Sequence, residues 1–207
     1  MVDGMTRLHA NNFFLTALLA LFLVGWQSAS VVHAGTQMYQ PLSASVRSAL
    51  RQSVSDQGAT KSAFTSQAQE AQWVQDMSQR FGIEKRIPDA NMREDFLKMV
   101  HYEATRAGLD PRLILGLIKV ESAFRKYAVS RAGARGFMQV MPFWVGLIGA
   151  PTDNLFHPNI NLRYGCTILR HYLDMEKGNL YRALGRYNGS LGKPEYPNLV
   201  NAAWQKN

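Results

Sequence analysis

The stretch Asp110-Pro111-Arg112-Leu113-Ile114-Leu115-Gly116-Leu117-Ile118-Lys119-Val120-Glu121-Ser122 decides the reading of this chain. Asp caps exposed backbone amides, and Pro at the first helical position gives up no hydrogen bond, so the pair opens a helix. Glu121 lies four residues after Leu117, three after Ile118 and seven after Ile114, which places its carboxylate on the apolar face. A carboxylate there must be paired, metal-bound or partly desolvated. Desolvation raises its pKa by disfavouring the charged form, as a general acid near neutral pH requires. Position alone leaves a second reading open, a salt bridge to Arg125 or to an Arg between 131 and 135.

Outward from this helix the pattern stays helical. Asn91-Met92-Arg93-Glu94 has a capping-box arrangement, and Phe96, Met99, Val100 and Ala104 keep a helical period until Gly108. A long helix beginning near Pro158 carries Leu162, Cys166, Leu169 and Leu173 on one stripe and ends at Gly178. Asn179 caps the next, in which Leu180, Ala183, Leu184 and Tyr187 fall at i, i+3, i+4 and i+7. A final helix after Pro197 is expected to bury Leu199, Val200 and Trp204. No stretch alternates with period two. The expected fold class is all-α, with a single core over residues 91–207. Upstream, residues 35–90 form a Ser-, Ala- and Gln-rich extension, partly helical or mobile, whose sparse apolar residues limit the core it could bury.

The N-terminus reads as an export signal. Phe13 to Trp26 is an uncharged run of 14 residues, short for a bilayer span but suited to a signal-peptide core, and Val32-His33-Ala34 is a small-x-small cleavage pattern. Cleavage after Ala34 is expected, with no stable membrane insertion afterwards and a periplasmic or cell-envelope location. Asp3 and Arg7 leave together, so the formal charge of +8 stays with the mature chain, which is drawn to polyanions. No basic helix interleaved with aromatics, zinc-finger spacing or ribonucleoprotein motif supports a nucleic-acid partner. The single cysteine, Cys166, excludes an intrachain disulfide and reads as a small buried hydrophobe.

Three blocks follow one another: Glu121-Ser122-Ala123-Phe124 with Ser130 and Gly133; Gly136-Phe137-Met138-Gln139-Val140-Met141-Pro142; and Arg186-Tyr187-Asn188-Gly189. In this order they resemble the soluble lytic transglycosylases, a goose-lysozyme-like family, with an E-S pair ending the catalytic helix, a G-x-M-Q segment and a Y-N pair ending a later helix. The helix from Asn161 to Leu173 resembles the family's segment between the second and third blocks, so the likeness extends over about residues 95–205. It implies a lysozyme-like helical domain with a substrate cleft. Phe137 where Leu is frequent, Arg186 where Ala is frequent, and Gly189-Ser190 in place of Ala-Gly depart from the common pattern without removing a reacting group. Arg186 itself reads as solvent-facing.

Carried over by residue, the resemblance implies Glu121 as the sole acid/base. Ser122 and Ser130 would lie near it, Met138 and Gln139 would line sugar subsites, and Tyr187 and Asn188 would close the other wall. The implied reaction cuts the bond between N-acetylmuramic acid and N-acetylglucosamine in peptidoglycan glycan strands and leaves 1,6-anhydromuramyl ends, without a cofactor. The residues agree in one respect: the motif region offers one carboxylate on a helical apolar face, whereas ordinary glycosidases need two. Asp153, Asp174, Glu176 and Glu195 read as surface or capping groups. The histidines at 101, 157 and 171 have no metal-ligand spacing, so no metal is expected. Tyr127, Phe143, Trp144, Tyr164 and Tyr172 read mostly as core. A lysozyme-type hydrolase and a non-catalytic peptidoglycan-binding or assembly protein are the competing readings.

Overall fold

The computed structural model describes residues 37–55 and 64–206. The expected signal segment and cleavage site lie outside them. Eight α-helices follow in order among the described residues: α1 (Ala44–Ser55), α2 (Gln67–Phe81), α3 (Ala90–Arg106), α4 (Pro111–Ser122), α5 (Phe143–Ile148), α6 (Pro158–Met175), α7 (Leu180–Asn188) and α8 (Glu195–Gln205). Two isolated antiparallel bridges, Val129 with Arg135 and Arg135 with Val140, are the only β pairing among these residues, so the fold is all-α.

Local chemistry sets most helix ends. Asp110 caps α4 by accepting the Arg112 amide at 2.8 Å, with Pro111 at the first helical position. Asn179 caps α7 through the Arg182 amide. The start of α3 differs from the expected capping box: Asp89, not Asn91, is the cap, and its carboxylate accepts the Met92 amide at 2.8 Å. The last helix begins at Glu195, two residues ahead of Pro197, which sits in its first turn. Leu199 is 46% exposed, contrary to expectation: the buried face of α8 runs through Tyr196 and Val200, four residues apart, and Leu199 falls outside it.

Helix α4 is the centre of the core. Leu113, Ile114, Leu115, Leu117 and Ile118 are all buried, and α8 lies along it so closely that Gly116 faces backbone. A methyl group on Gly116 would meet the Trp204 nitrogen at 3.0 Å. At one end of this contact the Trp204 indole donates to Asp110 at 3.0 Å. Helix α6 packs on α3 and α7, while α1 packs on α5 and α6 and α2 on α3 and α4. Leu50, Val54, Met77, Phe81 and Ile83 are buried in the same hydrophobic cluster as α4, so the described part of residues 35–90 adds to that core.

Glu103 of α3 is a buried carboxylate with a full set of partners. It accepts the Arg106 guanidinium at 2.9 Å and Arg163 of α6 at 2.8 Å. Arg106 also donates to the Ser53 carbonyl at 2.8 Å, joining α1, α3 and α6. Such an arrangement neutralises a charge that would otherwise be costly in the interior.

Candidate active site

Glu121 stands in the last turn of α4, and its surroundings are assembled by the irregular segment 123–142, the end of α7 and the start of α8. The helix stops abruptly. Ala123 and Phe124 take φ of 49° and 60°, the left-handed region that costs a non-glycine residue on the order of 1 kcal/mol each. That strain is held by packing, since Phe124 is buried against Phe81 and Phe96.

The segment beyond is tied by one buried side chain. The Asn161 oxygen accepts the Met138 amide at 2.8 Å, while its nitrogen donates to the carbonyls of Arg135 at 2.8 Å and Leu155 at 2.9 Å. Gly136, at φ 75°, passes so near this knot that a Cβ would lie 2.5 Å from the Asn161 amide nitrogen. Gln139 adopts φ 50° and folds its side chain back onto the carbonyls of Ala128 and Gly136 at 3.1 and 2.9 Å.

The Glu121 carboxyl is 4% exposed. Burial pushes its pKa up to about 8, and a hydrogen bond from Tyr196 acts in the opposite direction. The Tyr196 hydroxyl donates to Oε1 at 2.5 Å, while Oε2 has no hydrogen-bond partner among the described residues. No salt bridge to Arg125 or to Arg131–Arg135 forms: Arg125 instead donates to the Ser122 carbonyl at 2.9 Å. Near neutral pH the group therefore holds a proton and keeps one oxygen free. Tyr187 is fully buried, donates to the Met138 carbonyl at 2.8 Å, and has its own pKa raised by burial and by the nearby Glu121 charge.

Ser122, Met138, Gln139 and Asn188, four of the other expected site residues, are buried. Ser122 is buried with its hydroxyl on the Ile118 carbonyl, and Ser130 caps a turn by accepting the Ala134 amide. Met138 is wholly buried, packed against Gly165, and contributes its backbone to the Asn161 and Tyr187 bonds. Gln139 and Asn188 are 2% and 3% exposed. Arg186, read from sequence as solvent-facing, instead pairs with Glu176, which also pairs with Arg182.

Two buried residues were not singled out from the sequence. Tyr196 is 75 positions from Glu121. Gln37 lies in the otherwise featureless segment ahead of α1, yet it is 4% exposed and accepts the Trp144 indole N–H at 2.9 Å. Of the aromatics, Trp144, Tyr164 and Tyr172 are core, whereas Tyr127 is 71% exposed. His101 stacks on Phe64 with ring centroids 4.0 Å apart. Cys166 is buried. No group of three or more His, Cys, Asp or Glu residues suited to a metal ion occurs among the described residues.

The sequence model of the transglycosylase SLT domain family matches residues 98–198. The chain is similar to the membrane-bound lytic murein transglycosylase C of Glaesserella parasuis, 38% identical over 113 residues, 47% of this chain and 31% of that one. The protein of the same description from Actinobacillus pleuropneumoniae is 53% identical over 113 residues, again 47% and 31%. The chain thus spans about a third of the length of these curated relatives. Among solved structures, the lytic transglycosylase Slt of Pseudomonas aeruginosa, in an inactive mutant form, covers 66% of this chain and 27% of its own at 23% identity and TM-score 0.43.

Proposed function

We propose that this protein is a peptidoglycan lytic transglycosylase that uses Glu121 as its single acid/base. The observation that carries the reading is the state of that carboxyl: buried, with a pKa of about 8, and with Oε2 unpartnered. A protonated acid with a free oxygen is prepared to give its proton to a glycosidic oxygen. The match of residues 98–198 to the transglycosylase SLT domain model supports peptidoglycan as the substrate class, and the bond proposed to be cut is the β-1,4 bond between N-acetylmuramic acid and N-acetylglucosamine.

In the first step Glu121 protonates the leaving oxygen while the neighbouring 2-acetamido group of the muramyl sugar assists departure. Burial raises Glu121's pKa chiefly by disfavouring the carboxylate, so the proton to be donated is still in place near neutral pH. The carboxylate that results is stabilised by the Tyr196 hydroxyl. It then takes the proton of the muramyl C6 hydroxyl, whose oxygen attacks C1 and closes the 1,6-anhydro ring. Glu121 recovers its proton, no water is consumed, and no cofactor is required. The side-chain partner of Glu121 is the Tyr196 hydroxyl, not a second acid. This favours a substrate-borne nucleophile over the second carboxylate that conventional glycosidases use.

Ser122 and Ser130 are proposed to lie near Glu121, Met138 and Gln139 at the sugar subsites, and Tyr187 and Asn188 at the opposite wall. No helix among the described residues is long and apolar enough to cross a membrane. The proposed location is the cell envelope, reached through cleavage after Ala34. The test is mass spectrometry of muropeptides released from purified peptidoglycan, with Glu121→Gln run alongside. Anhydromuramyl products that vanish in the variant are the expected result. Reducing ends formed with water would make the protein a lysozyme, and no release beside an active control enzyme would point to a binding or assembly role.

A further inference from the structure

Between Ser122 and Asp153 the chain carries no acidic residue but four cations, Arg125, Lys126, Arg131 and Arg135. The ion pairs among the described residues all lie elsewhere, so none of the four meets a carboxylate there. Two of them stand against rings instead. The Lys126 ammonium is 5.2 Å from the centre of the Tyr127 ring, and the Arg135 guanidinium is 5.9 Å from that of Phe156. The two rings meet with centroids 5.9 Å apart. Tyr127 nevertheless remains largely in solvent, as does Val129 two residues on.

The backbone holds this ledge in place. The Asn161 side-chain nitrogen ties the carbonyls of Arg135 and Leu155 together, which sets Arg135 beside Phe156. The Ala128 carbonyl accepts the Gly136 amide at 2.9 Å and the Gln139 side chain at 3.1 Å, so the residue next to Tyr127 is joined to the segment that carries Gln139. Arg135 also forms isolated antiparallel bridges with both Val129 and Val140. Tyr127 follows Glu121 by six positions, a reach of at most about 20 Å along the chain. A single exposed apolar residue is ordinary and calls for no explanation. Tyr127 is more than that, because its ring is braced by a second ring and flanked by two cations that have no carboxylate among the described residues.

An aromatic face is electrostatically negative and suits the C–H groups of a sugar ring, while ammonium and guanidinium groups suit carboxylates. We propose that Tyr127, with Lys126 and Arg135 beside it, is a binding ledge for a glycan strand that carries carboxylates: a sugar ring lies on Tyr127, and a carboxylate of the same strand reaches the two cations. This rests on the peptidoglycan reading given above. Such strands bear carboxylates on their peptide stems and, where a stem has been removed, on the muramyl lactyl group. The ledge retains the polymer by a contact in which Glu121 takes no part, and so acts on affinity.

Sedimentation with purified peptidoglycan measures binding by the full chain in the Glu121→Gln background. Tyr127→Ser and Lys126→Glu should each weaken binding about fivefold, the size of one exposed ring or cation contact. Tyr127→Phe, which keeps the ring, should bind like the parent. Added salt should narrow the Lys126→Glu deficit and leave that of Tyr127→Ser. Arg47→Glu makes the same change of charge at an exposed cation of α1 and should have little effect. Unchanged binding in Tyr127→Ser or in Lys126→Glu would overturn the contact that each removes. A loss from Arg47→Glu equal to that from Lys126→Glu would overturn the local role of charge, and a Tyr127→Phe as weak as Tyr127→Ser would overturn stacking on the ring. Peptidoglycan stripped of its stems by an amidase locates the carboxylate: a Lys126→Glu deficit that persists assigns the lactyl group, and one that disappears assigns the stem. Muropeptide release with Glu121 intact reports on the underlying activity separately. Release by the parent chain with unaltered binding in both ledge variants refutes the ledge alone, whereas a parent chain that neither binds nor cuts peptidoglycan refutes both readings.

Discussion

Glu103 and Glu121 are both interior glutamates, 2% and 4% exposed, on neighbouring helices packed against each other. Glu103 is held by two guanidiniums and joins three helices. Glu121 has a single neutral hydroxyl and one oxygen with nothing to bind among the described residues. Depth in the fold therefore does not separate a structural carboxylate from a reactive one; the partners do. A charge answered by opposite charges serves the architecture. One answered only by a hydroxyl is kept as an acid and stays available.

The sharpest way to break this comparison is to remove the ionisable group from each position. Glu121→Gln should lower peptidoglycan turnover about a thousandfold, within the range expected for losing an acid/base group, while the chain stays folded. Glu103→Gln should do the reverse. It leaves two guanidiniums without their counter-charge and should cost about 3 kcal/mol of stability by denaturant unfolding. Turnover per folded molecule should be nearly unchanged. If Glu103→Gln proved as inactive as Glu121→Gln while equally stable, the contrast would fail.

The dependence of stability on pH sharpens the same point. A carboxyl whose folded pKa is raised from 4.5 to about 8 keeps its proton in the native chain after the unfolded chain has lost it. Its contribution is fully present below about pH 4.5 and declines as pH rises toward about 8, by about 1.4 kcal/mol per pH unit. Glu121→Gln abolishes that decline. The melting temperature of the variant should therefore gain on the parent steadily from pH 5 to pH 8, and a constant gap would show that Glu121 is not held protonated.

A smaller effect is expected at Tyr196. Its hydrogen bond favours the carboxylate, so Tyr196→Phe should raise the Glu121 pKa further and move the alkaline limb of the activity profile up by about one pH unit. A fall in rate with no change in the profile would make Tyr196 a packing residue. Asn161→Ala should cost about 2–3 kcal/mol by releasing the three backbone groups it ties.

What the sequence disclosed follows the range of the forces involved. Asp110-Pro111, Asn179 and the Glu121 stripe act within one or two helical turns, so their neighbours in the chain are their neighbours in space. The all-α class and the central helix were legible for this reason. The Asp89 cap was displaced by two positions from the expected one because Asn91-x-x-Glu94 carries the same local signal. Tyr196 meets Glu121 across 75 residues, and Gln37 meets Trp144 across 107, distances at which no periodicity in the sequence points from one to the other. The Arg186–Glu176 pair is hidden likewise, by the turn between α6 and α7 that brings them together.

The close contact of α8 with Gly116 gives the C-terminal helix a mechanical part in the chemistry. Its far end is pinned to Asp110 by Trp204, and its near end delivers Tyr196 to Glu121, so α8 behaves as a strut with a bearing at Gly116. An added methyl at that bearing would make the backbone give by a few tenths of an ångström. A hydrogen bond of 2.5 Å is sensitive to shifts of that size. The strength of the acid is thereby geared to how tightly two helices lie together, and a change made more than a turn away from Glu121 would be felt as a change in its willingness to part with a proton.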